Sequence, residues 1–258
     1  VPYRFAREKT DHAAFAAGRL LCSVPGQTAF PTRLADEVFR RCAARLVAAG
    51  IAPPWTVYDP CCGVAHLLTT VGFLHGRAIR TLLGSDIDGD ALALARRNLD
   101  LLTPDGLAAR AAELRALAAR FGKPDYAAAA ADADGLARML VDAADPGGVA
   151  TRVFLADALD ADALAAQLAS GGVDLLITDV PHGRFVAWHG YESGGPDAPV
   201  TRLLEAVRPA LAPHALVAVG GGKGQRVVHP AFHRVERVEV GKRRVEVLAL
   251  GPGAARAG

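Results

Sequence analysis

Cysteine and lysine are scarce in this chain, and the pattern of the few cysteines closes off one class of explanation. Its cysteines, Cys22, Cys42, Cys61 and Cys62, show neither Cys-x-x-Cys nor Cys/His spacing. An adjacent pair cannot readily share one unstrained structural metal, so the expectation is reduced thiols, no metal and a cytoplasmic location. No stretch approaches the roughly 20 apolar residues that a membrane span needs. The first residues carry Arg4, Arg7, Glu8 and Lys9, and the apolar stretch behind them is broken by Gly18 and Arg19. That is not the pattern of a signal-peptide core, and no membrane association is expected. Lysine is confined to Lys9, Lys123, Lys223 and Lys242, which together with abundant alanine looks like the codon bias of a GC-rich genome. Neither charge is in surplus, with 29 Lys and Arg against 27 Asp and Glu. The whole molecule cannot act as a diffuse polycation, and any nucleic-acid contact has to come from a local patch.

What is present is material for a core. With 258 residues, 51% of them hydrophobic, the chain can bury one large domain without disulfides or metal, and 1–258 reads as a single, monomeric domain. Residues 1–50 read as an N-terminal helical extension. Within it Leu34, Val38, Phe39, Cys42 and Leu46 recur at helical spacing between Pro31 and Gly50. Strands and helices then alternate. Short apolar strands are expected at 56–58, 81–83, 153–155, 173–178 and 215–219, with helices from about Val64 and over 89–102. Five such units imply a parallel sheet with helices on both faces. Residues 233–240 and 243–250 alternate branched apolar and charged side chains around Gly241-Lys242, which predicts an antiparallel hairpin. The sum is an α/β protein with a mostly parallel seven-stranded sheet, the layout of the Rossmann-like methyltransferase fold. Residues 103–150, rich in alanine and charge, read as a helical insertion between the second and third βα units, interrupted at Gly122-Lys123-Pro124.

The chemistry sits at the strand ends. In open α/β sheets ligands bind beyond the carboxyl ends of the strands, and four of the expected strands run directly into Asp59, Asp86, Asp157 and Asp179. Taken singly, each is better explained by a helix cap or a solvated turn, but four in register are harder to dismiss. The first turn, Asp59-Pro60-Cys61-Cys62-Gly63-Val64-Ala65-His66, has one glycine where a dinucleotide fingerprint has three, so its backbone is poorly made to hug a pyrophosphate. S-adenosylmethionine has no phosphate. Asp59, Cys61 and the Gly63 turn suit its amino-acid end, Asp86 its ribose hydroxyls, Asp157 its adenine amino group, and Ile87 forms an apolar wall. The remaining strand end, Thr178-Asp179-Val180-Pro181-His182-Gly183, then faces the transferable methyl. Because methyl transfer is an in-line displacement, most of its rate comes from positioning the acceptor. Asp179 and the Pro181 turn carbonyl can accept the hydrogens of an exocyclic base amine, while the His182 ring can stack on the base.

With these residues in place the chain resembles the avilamycin (orthosomycin)-resistance 23S rRNA guanine methyltransferases, a Rossmann-like S-adenosylmethionine-dependent family. The resemblance runs through Gly18, Ser23-Val24-Pro25-Gly26, the block from Ala29 to Phe39, Asp59-Pro60-Cys61-Cys62-Gly63, Ser85-Asp86, Phe121-Gly122-Lys123-Pro124 and Thr178-Asp179-Val180-Pro181. It implies methylation of a guanine in the 23S rRNA of the large subunit and protection of the ribosome from an oligosaccharide antibiotic. The chain departs from the family at two points. Gly63-Val64-Ala65-His66 replaces Gly-Ser-Gly and an aromatic, and Pro181-His182-Gly183 replaces Pro-Tyr-Gly.

Arg4, Arg7, Lys9, Arg19 and Arg33 form the cluster expected to meet RNA, although solvated helix faces produce such clusters too. Two other readings use the same cofactor pocket: a methyltransferase acting on a small natural product, and a relative that binds cofactor or RNA without catalysis. Ribose 2′-O methylation ranks below base methylation, because no lysine stands just ahead of the first strand.

Overall fold

Seven strands lie in one sheet, ordered β3-β2-β1-β4-β5-β7-β6. They are β1 (Trp55–Asp59), β2 (Ile79–Asp86), β3 (Ala150–Leu155), β4 (Val173–Asp179), β5 (Leu211–Gly222), β6 (Phe232–Val240) and β7 (Arg243–Leu250). The first five are parallel, and β7 pairs antiparallel with both β5 and β6. The computed structural model describes residues 3–7, 20–24, 29–142, 148–181, 188 and 197–251.

The chain starts in the middle of the sheet, runs outward to β3, and returns to place β4 on the other side of β1. The crevice between β1 and β4 is therefore the point where strand order reverses, the usual ligand position in such sheets. Helices flank the sheet: α1 (Thr32–Ala48), α2 (His66–His75), α3 (Gly89–Asp100), α6 (Ala161–Ala165) and α7 (Ala198–Val207). All five apolar residues singled out in α1 are buried, and they pack with β1, β4 and β5 residues in one core cluster. A second cluster fills the other face, where α7 and Phe154 meet Tyr58, Leu176 and Val217.

The strands are longer than the apolar runs suggest. In β3 the additional residues Ala150 to Arg152 are exposed, as befits an edge strand. In β5 the additions include Pro213, His214 and three glycines, yet β4 and β7 pair with this strand on both sides. Here the neighbours dictate the conformation and outweigh local propensity.

The insertion folds as two antiparallel-packed helices, α4 (Pro104–Phe121) and α5 (Pro124–Asp142), which make the broadest helix–helix contact of the fold. Thr103 caps α4 through its hydroxyl, Pro104 occupies the first turn, and Gly122 ends the helix at φ 64°. Leu107, Ala111, Leu114, Ala129 and Ala133 enclose Leu20 and Leu21, so the insertion holds the N-terminal segment as well as itself. Among the described residues no helix is long and apolar enough to cross a membrane.

Candidate active site

Beyond the carboxyl ends of β1, β2 and β4 lies a cavity of about 270 Å³, just below the roughly 300–1,000 Å³ usual for small-molecule pockets. Asp59, Cys61, Gly63, Asp86, Ile87, Asp157, Asp179 and Pro181 all line it. The strand-end acids expected from the sequence thus converge on one space. Asp88 adds a fifth carboxylate, and no lysine or arginine is among the described lining residues. Such a cavity repels phosphates and attracts cations.

Each acid is held differently. Asp59 is almost fully buried, and its Oδ1 accepts the Cys61 amide at 3.1 Å. Burial pushes its carboxyl up to about 7; the Thr178 hydroxyl and Cys61 N–H oppose that rise, and the Asp86 and Asp179 charges add to it. Asp86 accepts from the Gly63 amide at 2.7 Å and from the Asp88 amide at 3.1 Å, tying the β1 turn to the β2 turn. Asp88 is largely a helix cap, taking the amides of Asp90 and Ala91 at the start of α3. Asp157 accepts the Leu159 amide at 2.9 Å. Ile87, 49% exposed, stands between these acids as an apolar surface.

The β1 turn is stiff and strained in one place. Cys62 donates its amide to Ser85 O, and Gly63 lies at φ 52°. Ala65 adopts φ 57°, the one non-glycine residue with positive φ among the described residues, and it is fully buried. Burial pushes the thiols of Cys61 and Cys62 well up, so both are neutral.

At the other side of the cavity Asp179 meets Arg243, which donates from Nη1 to Oδ2 at 2.5 Å. The Arg243 guanidinium also lies over the Phe30 ring, 5.4 Å from its centroid. Gly220 makes this packing possible. A Cβ there would stand 3.0 Å from Phe30 and 3.2 Å from Asp179 Oδ1.

Several lining residues stand outside the strand ends and were given no role from the sequence. Ser23 and Val24 reach the cavity because buried Asn98 on α3 binds both the amide and the carbonyl of Cys22, and the carbonyl of Val64. Phe30 and Trp188 add apolar wall, and His66 lines the cavity too. Only the register of β4, β5 and β7 reveals Arg243 as Asp179's partner; a cation at the start of a strand gives no such signal.

The expected RNA cluster divides. Arg33 donates to the carbonyls of Ala6 and Arg7 and lies over the Tyr3 ring, so its guanidinium clasps the N-terminal segment. Arg7 donates to the Arg4 carbonyl. The amides of Arg4, Phe5 and Ala6 are held by the buried Glu37 carboxylate. Burial would raise that carboxyl, but these amides and Arg41 outweigh it and hold it below the usual range. No residue of 3–7 is among the cavity lining. Lys9, Arg19 and His182 lie outside the described residues.

Comparison with known proteins agrees in one direction. The family model for the rRNA methyltransferase AviRa matches residues 1–243. A 23S rRNA (guanine(2535)-N(1))-methyltransferase of Streptomyces viridochromogenes is 41% identical over 256 residues, covering 97% of this chain and 99% of its own. The solved structure of the rRNA methyltransferase AviRa from that organism superposes with a TM-score of 0.84 at 40% identity, over 99% of each chain. TrmN from Thermus thermophilus shares the fold alone, with a TM-score of 0.50 at 21% identity over 87% of this chain and 50% of its own.

Proposed function

We propose, from the premise that this chain belongs to the AviRa family of rRNA methyltransferases, that it methylates a guanine of 23S rRNA with S-adenosylmethionine as methyl donor. In the cell this modification protects the large subunit from orthosomycin-type antibiotics. The observation that carries the reading is the set of five carboxylates around a cavity with no described lysine or arginine. A nucleotide cofactor bearing phosphates would be repelled there, whereas a ligand with an ammonium and a sulfonium is attracted.

The donor set fits that ligand. Asp59 and the Gly63 turn would hold the ammonium end, Asp86 the ribose hydroxyls, and Asp157 the adenine amino group against Ile87. Although Asp86 already accepts two amides, a carboxylate has about four lone-pair sites, so it can take further donors. When bound, the donor supplies a methyl on positively charged sulfur, a leaving group that needs no proton.

The relative's named acceptor is guanine ring N1, not the exocyclic amine weighed from the sequence. N1 carries a hydrogen, which has to leave as the N1–C bond forms and the S–C bond breaks. Asp179, with Oδ2 held by Arg243, accepts that hydrogen and passes the proton to solvent, while the Pro181 carbonyl orients the base.

Transfer of labelled methyl to total rRNA, followed by mapping, tests this. Expected is one N1-methylguanine in 23S rRNA, lost in Asp179→Ala while cofactor affinity stays within a few-fold. Asp59→Ala and Asp86→Ala should each weaken cofactor binding by about 1–3 kcal/mol, and expression in a sensitive strain should raise its orthosomycin tolerance. Label that enters a small molecule and never rRNA would move the activity to natural-product methylation.

A further inference from the structure

An acceptor pocket walled by carboxylates has to receive a polyanion, so cations must stand outside it to hold the RNA backbone. The rim beside Asp179 carries them. Gly220 is in register with Asp179 on one side and Val245 on the other, and Gly222 with Arg243. Lys223 follows Gly222 as the chain leaves β5, and Lys242 precedes Arg243 in the β6–β7 turn. Two like charges therefore follow one another on neighbouring strand ends, which lie about 4.8 Å apart. Arg226 comes three residues later, its amide donating to Asp197.

Lys223, Arg226 and Lys242 are all exposed. Among the described residues none of them has an ion-pair partner, although carboxylates stand nearby. Asp179 is paired with Arg243, Glu239 with Arg244, and Asp197 accepts the Arg226 backbone. Lys223 and Lys242 each stand one residue beyond the last ladder pair, Gly222 with Arg243, and like charges on neighbouring strand ends are unfavourable unless an anion sits between them. Nothing described in the chain supplies that anion.

We propose that Lys223, Arg226 and Lys242 form the track on which the RNA backbone crosses the mouth of the pocket, holding the phosphates that flank the target guanine. The inference rests on the rRNA reading above. Lys223 is three residues past the Asp179 level, about 10 Å at roughly 3.3 Å per residue. The track thus lies outside the acidic cavity and beside the acceptor acid. It also lies at β5 and β7, away from edge strand β3, which the α4–α5 insertion precedes in the chain; the exposed cations of that insertion serve as an internal comparison.

The test is filter binding of transcribed 23S rRNA across a salt series, with methyl transfer measured in parallel. In the Lys223→Gln, Arg226→Gln, Lys242→Gln triple variant, the slope of log affinity against log salt should flatten by about 2, at about 0.7 per single-strand phosphate contact. KM for rRNA should rise tenfold or more, with kcat and cofactor affinity within twofold. Arg replacements of both lysines should restore the slope. Neutralising Arg120, Lys123 and Arg138 on α4–α5 should leave it unchanged. An unchanged slope in the first triple variant, or an equal loss in the second, overturns the track. Wild-type methylation of rRNA alongside an unchanged variant slope would sink the track and leave the activity standing. Absence of wild-type methylation would sink the activity, and the track would then be judged on binding alone.

Discussion

Arg243 at the start of β7 holds Oδ2 of Asp179 at the end of β4, a contact of 2.5 Å between residues 64 positions apart. β5 lies between the two strands, and its bare Gly220 lets Phe30 and the ion pair close over it. The pair holds Oδ2 of Asp179 in place, so that under the role proposed for Asp179 the guanidinium of Arg243 acts as a positioning group. Arg243→Gln should lower kcat by about 10- to 100-fold, the scale of a charge-assisted hydrogen bond of roughly 1.5–3 kcal/mol. Cofactor affinity should stay within threefold, and Arg243→Lys should recover part of the rate. Parallel loss of cofactor affinity would make the pair merely structural.

Asp59 gives the site a pH dependence of definite sign. Its carboxyl is raised to about 7 by burial and by neighbouring Asp86 and Asp179, so the free protein is partly protonated there at neutral pH. A bound ammonium favours the ionised form. Cofactor affinity should therefore fall as pH drops below about 7, with a proton released on binding. Titration calorimetry in buffers of different ionisation heat reads this directly, and Asp59→Asn should abolish it. The folding balance runs the other way. Between the unfolded value near 4 and about 7 the folded state binds more protons, so stability falls as pH rises through that window. Asp59→Asn should then stabilise the free protein at pH 8 by on the order of 2–4 kcal/mol. An unchanged melting curve would place the carboxyl in its ordinary range.

Ala65 stands at φ 57°, a left-handed backbone that favours glycine. An L-residue there carries roughly 1–2 kcal/mol of strain. Against this, its buried methyl contributes about 0.8 kcal/mol, and glycine would add an entropic penalty of roughly 0.5–1 kcal/mol. These terms nearly cancel, so Ala65→Gly should shift stability by less than about 1 kcal/mol in urea denaturation. Ala65→Val adds β-branching to the same backbone in a filled core and should lose 2 kcal/mol or more. A valine variant as stable as wild type would mean that the turn relaxes.

Asn98 is fully buried and satisfies three backbone groups from two segments, at 2.7, 3.0 and 2.8 Å. Asn98→Leu leaves all three without a partner, at about 1–3 kcal/mol for each such group. The expected result is a loss of about 3 kcal/mol or more in chemical denaturation. Because Cys22 precedes Ser23 and Val24 in the cavity wall, cofactor affinity measured on the folded fraction should fall as well. Full affinity in that fraction would detach this wall from cofactor binding.

The readable part of the site was the part carried by local order. Each of Asp59, Asp86, Asp157 and Asp179 follows its own apolar run, and a parallel sheet delivers all such ends to one edge. The helical period of α1 and the hairpin at Gly241 were legible for the same reason, since period and turn chemistry act over a few residues. Arg33 shows the limit. Its position in a basic cluster suggested RNA, while the fold gives its guanidinium the carbonyls of Ala6 and Arg7.

The sequence by itself determined the alternation of strands and helices, the acid at each strand end and the family the chain belongs to, because these are properties of neighbouring residues. Tertiary structure alone decided which cations are committed and which remain exposed, which oxygen of Asp179 is held, and that Asn98 ties two distant segments to one wall. Those outcomes depend on strand register and burial. Register brings residues together from across the chain, and burial sets whether a charge is paired, shifted or left in water.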